Sequence, residues 1–128
     1  MPVQYVIHIH DHIVRTTFRG TVTCREVAEH DSRLRSDPAF DPDFSELVTF
    51  RDDPDIQLTY LEWRSLSDVD PFSRSSRRAF VVQSHSAVYG VVRMYQIAKS
   101  DAPNIKIFET GDEALSWLSA PKRLAEGR

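Results

Sequence analysis

Three histidines near the start of the chain have the spacing of metal ligands. His8, His10 and His12 alternate in sequence, so in a continuous strand all three side chains would project from one face. Imidazole nitrogen is a ligand that suits zinc, nickel and copper. The pair Asp11-His12 also has the composition of a turn, which would break the alignment. The alternative interpretation is therefore three solvated histidines, and we expect neither a metal ion nor another cofactor.

A second candidate is the run Ser84-His85-Ser86, which places a nucleophile type beside a base type. Side chains adjacent in sequence at a helix start seldom point at each other, and no spacing fixes an acid that would orient the histidine. Capping of the following helix explains the serines better. The four glycines, at 20, 90, 111 and 127, form neither a phosphate-binding loop nor a dinucleotide-binding fingerprint. The sequence therefore indicates that the protein is not an enzyme.

The ends of three predicted parallel strands, near Phe50, Gln83 and Phe108, would lie along one edge of a sheet. Open α/β sheets bind ligands in the crevice outside that edge, and helix N-termini there offer free N–H groups to an anion. The side chains that would line this edge or the helix behind it are Arg51, Asp52, Asp53, Ser84, His85, Tyr89, Arg93, Glu109 and Thr110. We predict a small acidic ligand or an acidic partner segment there. The alternative is a row of three capped helix starts that bind nothing.

These residues are positioned by a predicted βαβ unit, in which a buried strand at 79–82 leads into a helix at 85–100 and then into another strand at 105–108. Apolar residues recur along the helix at helical spacing, and we expect Val91 to lie on the sheet. Gly90 is a costly residue inside a helix, so it predicts a close approach by a strand or a ligand.

The rest of the chain is predicted to complete the order ββαβαβαβα. A hairpin, a third strand and the βαβ unit place the strands at 5–10, 13–19, 46–50, 79–82 and 105–108. Capping boxes opened by Thr23, Thr59 and Thr110 start three of the four helices. A polar turn at 51–55 leaves the third strand. The sequence predicts one α/β domain over residues 1–120, with a mixed sheet and flanking helices, and a flexible tail over residues 121–128.

Composition argues against several partners and locations. The 128 residues carry a net charge of -3, with 41% hydrophobic and 27% charged residues, which gives no electrostatic reason to expect nucleic acid or an anionic membrane. The single cysteine, Cys24, excludes an internal disulfide. The first four residues lack the features of a signal peptide, and no apolar stretch approaches the roughly 20 residues of a transmembrane helix. We therefore expect a cytoplasmic protein.

Three sets of segments carry a family resemblance. They are the loop Asp-Pro-Ala-Phe-Asp-Pro at 37–42, the strand at 79–83 with Tyr-Gly-Val-Val-Arg-Met-Tyr at 89–95, and the closing segments at 107–108 and 114–118. With the order of elements, they resemble the SpoIIAA-like branch of the STAS proteins over nearly the whole chain. The resemblance implies a small bacterial domain with a mixed sheet flanked by helices, related in fold to anti-sigma factor antagonists and compared with lipid-binding SEC14-type domains. None of these motifs is catalytic.

One segment departs from that family. Sigma-regulating STAS proteins carry an Asp-Ser-Ser-Gly type segment after the third strand, in which a serine is phosphorylated to break partner binding. This chain has residues 51–59 there, and Thr59 is their only hydroxyl. Thr59 is explained better as a helix cap than as a phosphorylation site. The phosphoswitch is therefore not carried over by the resemblance.

Two functions remain open from the sequence. The first is a non-enzymatic protein-interaction or regulatory domain, which the resemblance and the lack of a catalytic constellation favour. The second is a binder of a small amphipathic ligand such as a lipid. Its pocket would be lined by Tyr60, Trp63, Phe72, Tyr89 and Tyr95.

Two surface features bear on partners. The basic run at 73–78 has the charge to bind phosphate groups, although a solvated loop explains it equally well. In the hairpin, polar residues alternate with apolar ones, so one sheet face near the N-terminus is expected to be half covered. These polar residues are His8, His10, Arg15, Thr16 and Arg19. We predict a homodimer that hides this face or its edge.

Overall fold

The structure is a computed structural model and describes residues 2–99 and 104–121. Its strands are β1 (Val3–His8), β2 (Ile13–Thr23), β3 (Ser45–Gln57), β4 (Arg78–Val81) and β5 (Ile105–Phe108). Its helices are α1 (Cys24–Ser36), α2 (Tyr60–Ser67), α3 (Ala87–Ala98) and α4 (Gly111–Ser119). The predicted α/β fold with a mixed sheet and flanking helices is confirmed, whereas the predicted order and bounds of the elements agree only roughly. Of the predicted tail, residues 122–128 lie outside the described part.

The five strands form one sheet in the order β1-β2-β3-β4-β5. The short turn after β1 makes β1 and β2 antiparallel, and the helical crossovers make the other three pairs parallel. Because crossovers are right-handed and the order never reverses, α1, α2 and α3 all cover the same face of the sheet. Helix α4 follows the last strand and covers part of the opposite face, where Ala114 and Leu118 pack on Ile13 and Leu47.

Local signals start the helices where the sequence predicts them. The Glu26 carboxylate accepts from the Thr23 backbone N–H at 2.8 Å, and Glu62 accepts from Thr59 in the same way at 2.9 Å. At α4, the Thr110 hydroxyl accepts from the backbone N–H of Glu113 at 3.2 Å. Each contact satisfies a donor that the first turn of a helix leaves free. No helix within residues 2–99 and 104–121 has the length and apolar character to cross a bilayer.

The predicted turn at residues 51–55 is wrong, because β3 continues through it to Gln57. Strand β2 likewise runs through Gly20 to Thr23 and keeps pairing with β3. Between the pairs Arg19–Arg51 and Thr21–Asp55, three residues of β3 stand opposite Gly20 alone, which makes a bulge. Asp52, Asp53 and Gly20 all have positive φ there, a conformation that aspartate and glycine tolerate.

Helix α3 differs from its prediction in both its start and its inward face. It begins at Ala87, because Ser86 has an extended backbone at the N-cap. Val92 is fully buried, whereas Val91, which was predicted to lie on the sheet, is half-buried. A Cβ atom added to Gly90 would meet no atom within 4 Å, so the predicted close approach at that glycine is wrong.

The basic run at 73–78 is not a solvated loop throughout, because its last three residues are buried. The Arg77 guanidinium donates to the carbonyl oxygens of Trp117 and Ala120, both at 2.7 Å, and so caps the C-terminal end of α4. The Ser76 hydroxyl donates to the Phe44 carbonyl at 2.5 Å. The neighbouring Arg78 points to the other face of the sheet, where the candidate site lies.

Candidate functional site

A cavity lies between the sheet and the three helices α1, α2 and α3. Strands β2, β3 and β4 form its floor, because their inward-facing residues alternate with residues that face α4 or solvent. Its apolar lining consists of Phe18, Val27, Val48, Phe50, Ile56, Trp63, Leu66, Phe80, Val91, Val92 and Tyr95. Its polar lining consists of His30, Asp31, Glu46, Asp70 and Arg78. An apolar pocket that holds a few polar groups is the usual composition of a small-molecule site.

Arg78 and Glu46 form the centre of the polar lining. They are neighbours in the register of β4 and β3, and they are 8% and 3% exposed. The guanidinium donates from Nε to Glu46 Oε1 at 3.1 Å, and its Nη2 forms an ion pair with the same oxygen at 3.0 Å. The Thr16 hydroxyl donates to Glu46 Oε2 at 2.7 Å. Burial raises the pKa of Glu46, against the opposing charge of Arg78.

A second buried carboxylate, Asp70, also faces Arg78. It accepts from Arg78 Nη1 and from Lys99 Nζ, the latter at 3.0 Å, and from the backbone N–H of Phe72 at 3.1 Å. Burial by itself would raise the pKa of Asp70, but the charges of Arg78 and Lys99 hold it below its ordinary value. The two cations therefore balance Glu46 and Asp70.

A third carboxylate, Asp31 of α1, has no ion-pair partner in the described part of the chain. It is half-buried at the cavity. The pKa of Asp31 is raised from 3.8 to about 7, chiefly by burial and further by the charges of Asp70 and Glu46, against the opposing charges of Arg78 and Arg35. Near neutral pH this carboxyl group can therefore hold or release a proton.

Two buried polar atoms of the cavity lining have no hydrogen-bond partner among the described residues. They are Trp63 Nε1, in a side chain that is 6% exposed, and His30 Nδ1, in one that is 3% exposed. A buried donor without a partner costs about 1–3 kcal/mol, so each such group calls for an explanation. Burial, followed by the charges of Arg33 and Arg78, lowers the pKa of His30 to about 4, so this imidazole is neutral at pH 7.

The cavity has a volume of about 40 Å³, which is space for roughly three water-sized groups at about 10–15 Å³ each. Five lining residues are only half-buried: Asp31, Phe50, Ile56, Asp70 and Val91. The side chain of Asp70 is itself only 8% exposed, so the other four mark where the cavity opens to solvent. Among the described residues, the cavity thus offers apolar and aromatic contact, an indole N–H without a hydrogen-bond partner and a carboxylate without an ion-pair partner. The same residues contain no paired nucleophile and base.

Some of the residues predicted at the carboxyl edge of the sheet do come together in a groove. Asp52 and Asp53 of the β3 bulge line it opposite His85 and Glu109. The backbone N–H of Ser84 donates to Glu109 Oε1 at 3.1 Å, and hydrogen bonds from Ser84 lower the pKa of Glu109. Three carboxylates in the groove repel an anion, which argues against the predicted acidic ligand at this place.

The other predicted edge residues do not line that groove. Arg51 is exposed on β3, and Thr110 caps α4. Tyr89 and Arg93 lie on α3, where Tyr89 packs partly against the core and Arg93 is exposed and bonds Gln96. His85 precedes the helix, so it does not share a helix face with these two residues.

The predicted histidine and phosphorylation candidates also have defined places. Strand β1 ends at His8, while His10 and His12 lie in the turn, where the His12 ring stacks on Phe44 at 5.2 Å. Among residues 2–99 and 104–121, no three His, Cys, Asp or Glu side chains are placed to hold a metal ion. The Thr59 hydroxyl accepts from the Glu62 backbone N–H, as expected of a helix cap.

Of the aromatic side chains predicted to line a pocket, Trp63 and Tyr95 do so, with ring centroids 4.8 Å apart. Phe72 packs instead under the Arg78 guanidinium, at 4.7 Å from its ring centroid. Tyr60 is 40% exposed on α2. The aromatic residues therefore form the predicted pocket in part.

The sequence patterns did not predict the polar side chains of the cavity, although two of these residues stand at strand positions that the alternation marks as buried. Glu46 alternates with Val48 and Phe50, and Arg78 has the same relation to Phe80, so both charges occupy inward positions of buried strands. A buried charge requires a partner. Asp31, His30 and Asp70 carry no such signal, because helix and loop positions in a polar context are usually exposed.

Comparisons with protein-family models, with curated proteins and with solved structures find no match for this chain.

Proposed function

We propose that the protein binds a small amphipathic molecule in the cavity beneath α1, α2 and α3. The observation that carries the proposal is the Trp63 Nε1–H, which is buried in the wall of the cavity and has no hydrogen-bond partner among the described residues. A hydrogen-bond acceptor on the ligand would satisfy this donor and remove the cost of its burial. The apolar part of the ligand would lie against Phe50, Ile56 and Val91, where the cavity opens.

The resemblance to SpoIIAA-like STAS domains is compatible with this function. That family implies a mixed sheet flanked by helices, which is also the architecture of this chain. We propose that the chain is a distant member of the family. Within it, the comparison with lipid-binding SEC14-type domains supports a ligand between sheet and helices more than a phosphoswitch at Thr59.

Narrowing the cavity tests the proposal. Native mass spectrometry of gently purified protein is expected to show a bound small molecule, and isobutanol is expected to shift the Trp63 indole N–H resonance. In Val91→Phe, the larger ring would fill the opening, so both signals should be lost. Val6→Phe is the matched control, because Val6 is 59% exposed on β1 and does not line the cavity. A wild-type protein with neither a bound mass nor a Trp63 shift would overturn the proposal.

A second function is interaction with an acidic segment of a partner protein. It is favoured by the sheet face on which α4 packs, because α4 leaves part of that face uncovered. Arg15, Arg19 and Arg51 are exposed there, and none has an ion-pair partner within the described ranges. Arg19 and Arg51 are direct neighbours in the β2–β3 register, an arrangement of like charges that is destabilising. An acidic partner would relieve this repulsion, whereas a two-fold homodimer through the same face would bring arginines together.

This surface can be tested with an oligoglutamate peptide as the probe. At low ionic strength, replacing Arg19 and Arg51 together by serine is expected to weaken binding about tenfold or more, equivalent to about 1.4 kcal/mol. The wild-type affinity should fall as salt is added. Replacing Arg25 and Arg93 by serine removes the same charge from exposed helix positions and should have a smaller effect. Equal losses in the two double variants would show that net charge, and not this surface, governs binding.

A further inference from the structure

We infer that the ligand of the cavity carries a positively charged amine, which pairs with Asp31. This inference rests on the proposed ligand-binding function and names the chemistry of the ligand. Its basis is the ion pairing of the three carboxylates that line the cavity: Arg78 and Lys99 lie within ion-pair distance of Glu46 and Asp70, whereas no cation of the described residues lies within that distance of Asp31.

The two cations are already committed to the other two carboxylates. Arg78 bonds both Glu46 and Asp70, and Lys99 bonds Asp70 at 3.0 Å. Asp31 is left without a counter-ion among the described residues, at a position where the cavity meets solvent. Burial contributes most to the raised pKa of Asp31, and the charges of Asp70 and Glu46 add to it against those of Arg78 and Arg35. An ionised carboxylate without an ion-pair partner attracts a cation and repels an anion.

The rest of the lining also suits an ammonium group with a short apolar tail. The rings of Phe50, Phe80, Trp63 and Tyr95 surround the cavity, and a cation within about 6 Å of a ring centroid is attracted to its face. The buried nitrogens Trp63 Nε1 and His30 Nδ1, neither with a hydrogen-bond partner among the described residues, provide an independent indication that the cavity takes a polar ligand. Because an ammonium group has no acceptor, the Trp63 donor calls for an acceptor on the ligand besides its amine. The volume of about 40 Å³ limits the part of the ligand that enters to a few heavy atoms.

Three probes share a branched apolar tail and differ in the charge of their polar group: isobutylamine is a cation, isobutanol is neutral and isobutyrate is an anion. Each is titrated at about pH 8, where Asp31 is ionised, and the Trp63 indole N–H resonance is followed. Trp117 belongs to α4 and packs on the opposite face of the sheet, so its indole N–H resonance serves as the internal control. We expect isobutylamine to bind at least about tenfold more tightly than isobutanol, and isobutyrate to produce no shift.

The variant Asp31→Asn is expected to remove the advantage of the amine, so that isobutylamine binds no more tightly than isobutanol. The matched control is Glu29→Gln, which removes one carboxylate from an exposed position of the same helix and should keep the wild-type order of affinities. Equal binding of amine and alcohol by the wild-type protein, or an amine preference that survives Asp31→Asn, would overturn the amine inference while ligand binding stands. If no probe shifts Trp63, both the inference and the proposed function fail.

Discussion

Replacing Arg78 by methionine is expected to destabilise the protein by about 3–5 kcal/mol, because it leaves two buried carboxylates without their main counter-ion. Glu46 is 3% exposed and depends on Arg78 for one hydrogen bond, from Nε, and for a close ion-pair contact with Nη2. Lys99 would remain to neutralise Asp70 alone. A loss of this size is a large part of the total of about 5–15 kcal/mol that stabilises a small domain. Urea unfolding followed by tryptophan fluorescence measures it.

Acid should partly rescue this variant. Without Arg78, the folded-state pKa of Glu46 rises further, so protonation relieves the buried charge as the pH falls. The penalty relative to the wild-type protein should therefore be smaller at about pH 4 than at about pH 7.

The matched control is Arg25→Met, which breaks the exposed pair with Glu29, at 3.0 Å on α1. Exposed ion pairs of this kind contribute about 0.3–0.5 kcal/mol. An Arg78→Met variant with the unfolding midpoint of the control would show that the buried carboxylates do not need Arg78 as a counter-ion.

The variant Asp31→Asn is expected to be more stable than the wild-type protein near pH 8 and close to it near pH 4. Burial, with Asp70 and Glu46, raises the folded-state pKa of Asp31 from 3.8 to about 7. Between these values the unfolded chain has released the proton and the folded protein still binds it, so wild-type stability falls as the pH rises. The slope from this group is at most about 1.4 kcal/mol per pH unit, and asparagine removes it.

His30 has the opposite effect on the pH dependence of stability, so the two contributions partly cancel in the wild-type protein. Its pKa is lowered from 6.5 to about 4. Between those values the unfolded chain binds the extra proton, and folded stability is lost as the pH falls. Over this range the contributions of Asp31 and His30 oppose each other. Asp31→Asn should therefore leave a profile that rises with pH, and His30→Gln one that falls.

Urea midpoints measured between about pH 4 and pH 8 for both variants test this prediction. Glu29→Gln, on the exposed face of α1, should follow the wild-type curve. An Asp31→Asn profile parallel to that of the wild-type protein would contradict a shifted pKa for Asp31.

The sequence by itself determined the elements that depend on neighbours along the chain. Thr23 with Glu26 and Thr59 with Glu62 started α1 and α2, because a capping box needs only residues three apart. The four-residue apolar run at 79–82, most of which lies in β4, and the helix after it indicated a parallel sheet. The mixed α/β architecture could therefore be predicted from local patterns, even though several bounds moved.

Only the tertiary structure decided features that depend on register between distant segments. Strand β3 passes through its Asp-Asp-Pro segment because β2 remains beside it to pair with. Val92 is the more deeply buried of the two valines of α3, and Val91 packs against the core only in part. The rotation of a helix is fixed by what it packs on, whereas periodicity alone leaves adjacent positions ambiguous.

The candidate site is also a feature that only the tertiary structure decided. Arg78 meets Glu46 across a sequence separation of 32 residues, and Asp31, Asp70 and Lys99 reach the same place from α1, the loop after α2 and the end of α3. Each of these charged residues, taken alone, resembles an ordinary surface residue. Their cost of burial, and hence their chemistry, arises only when the helices close over the sheet and remove water from around them.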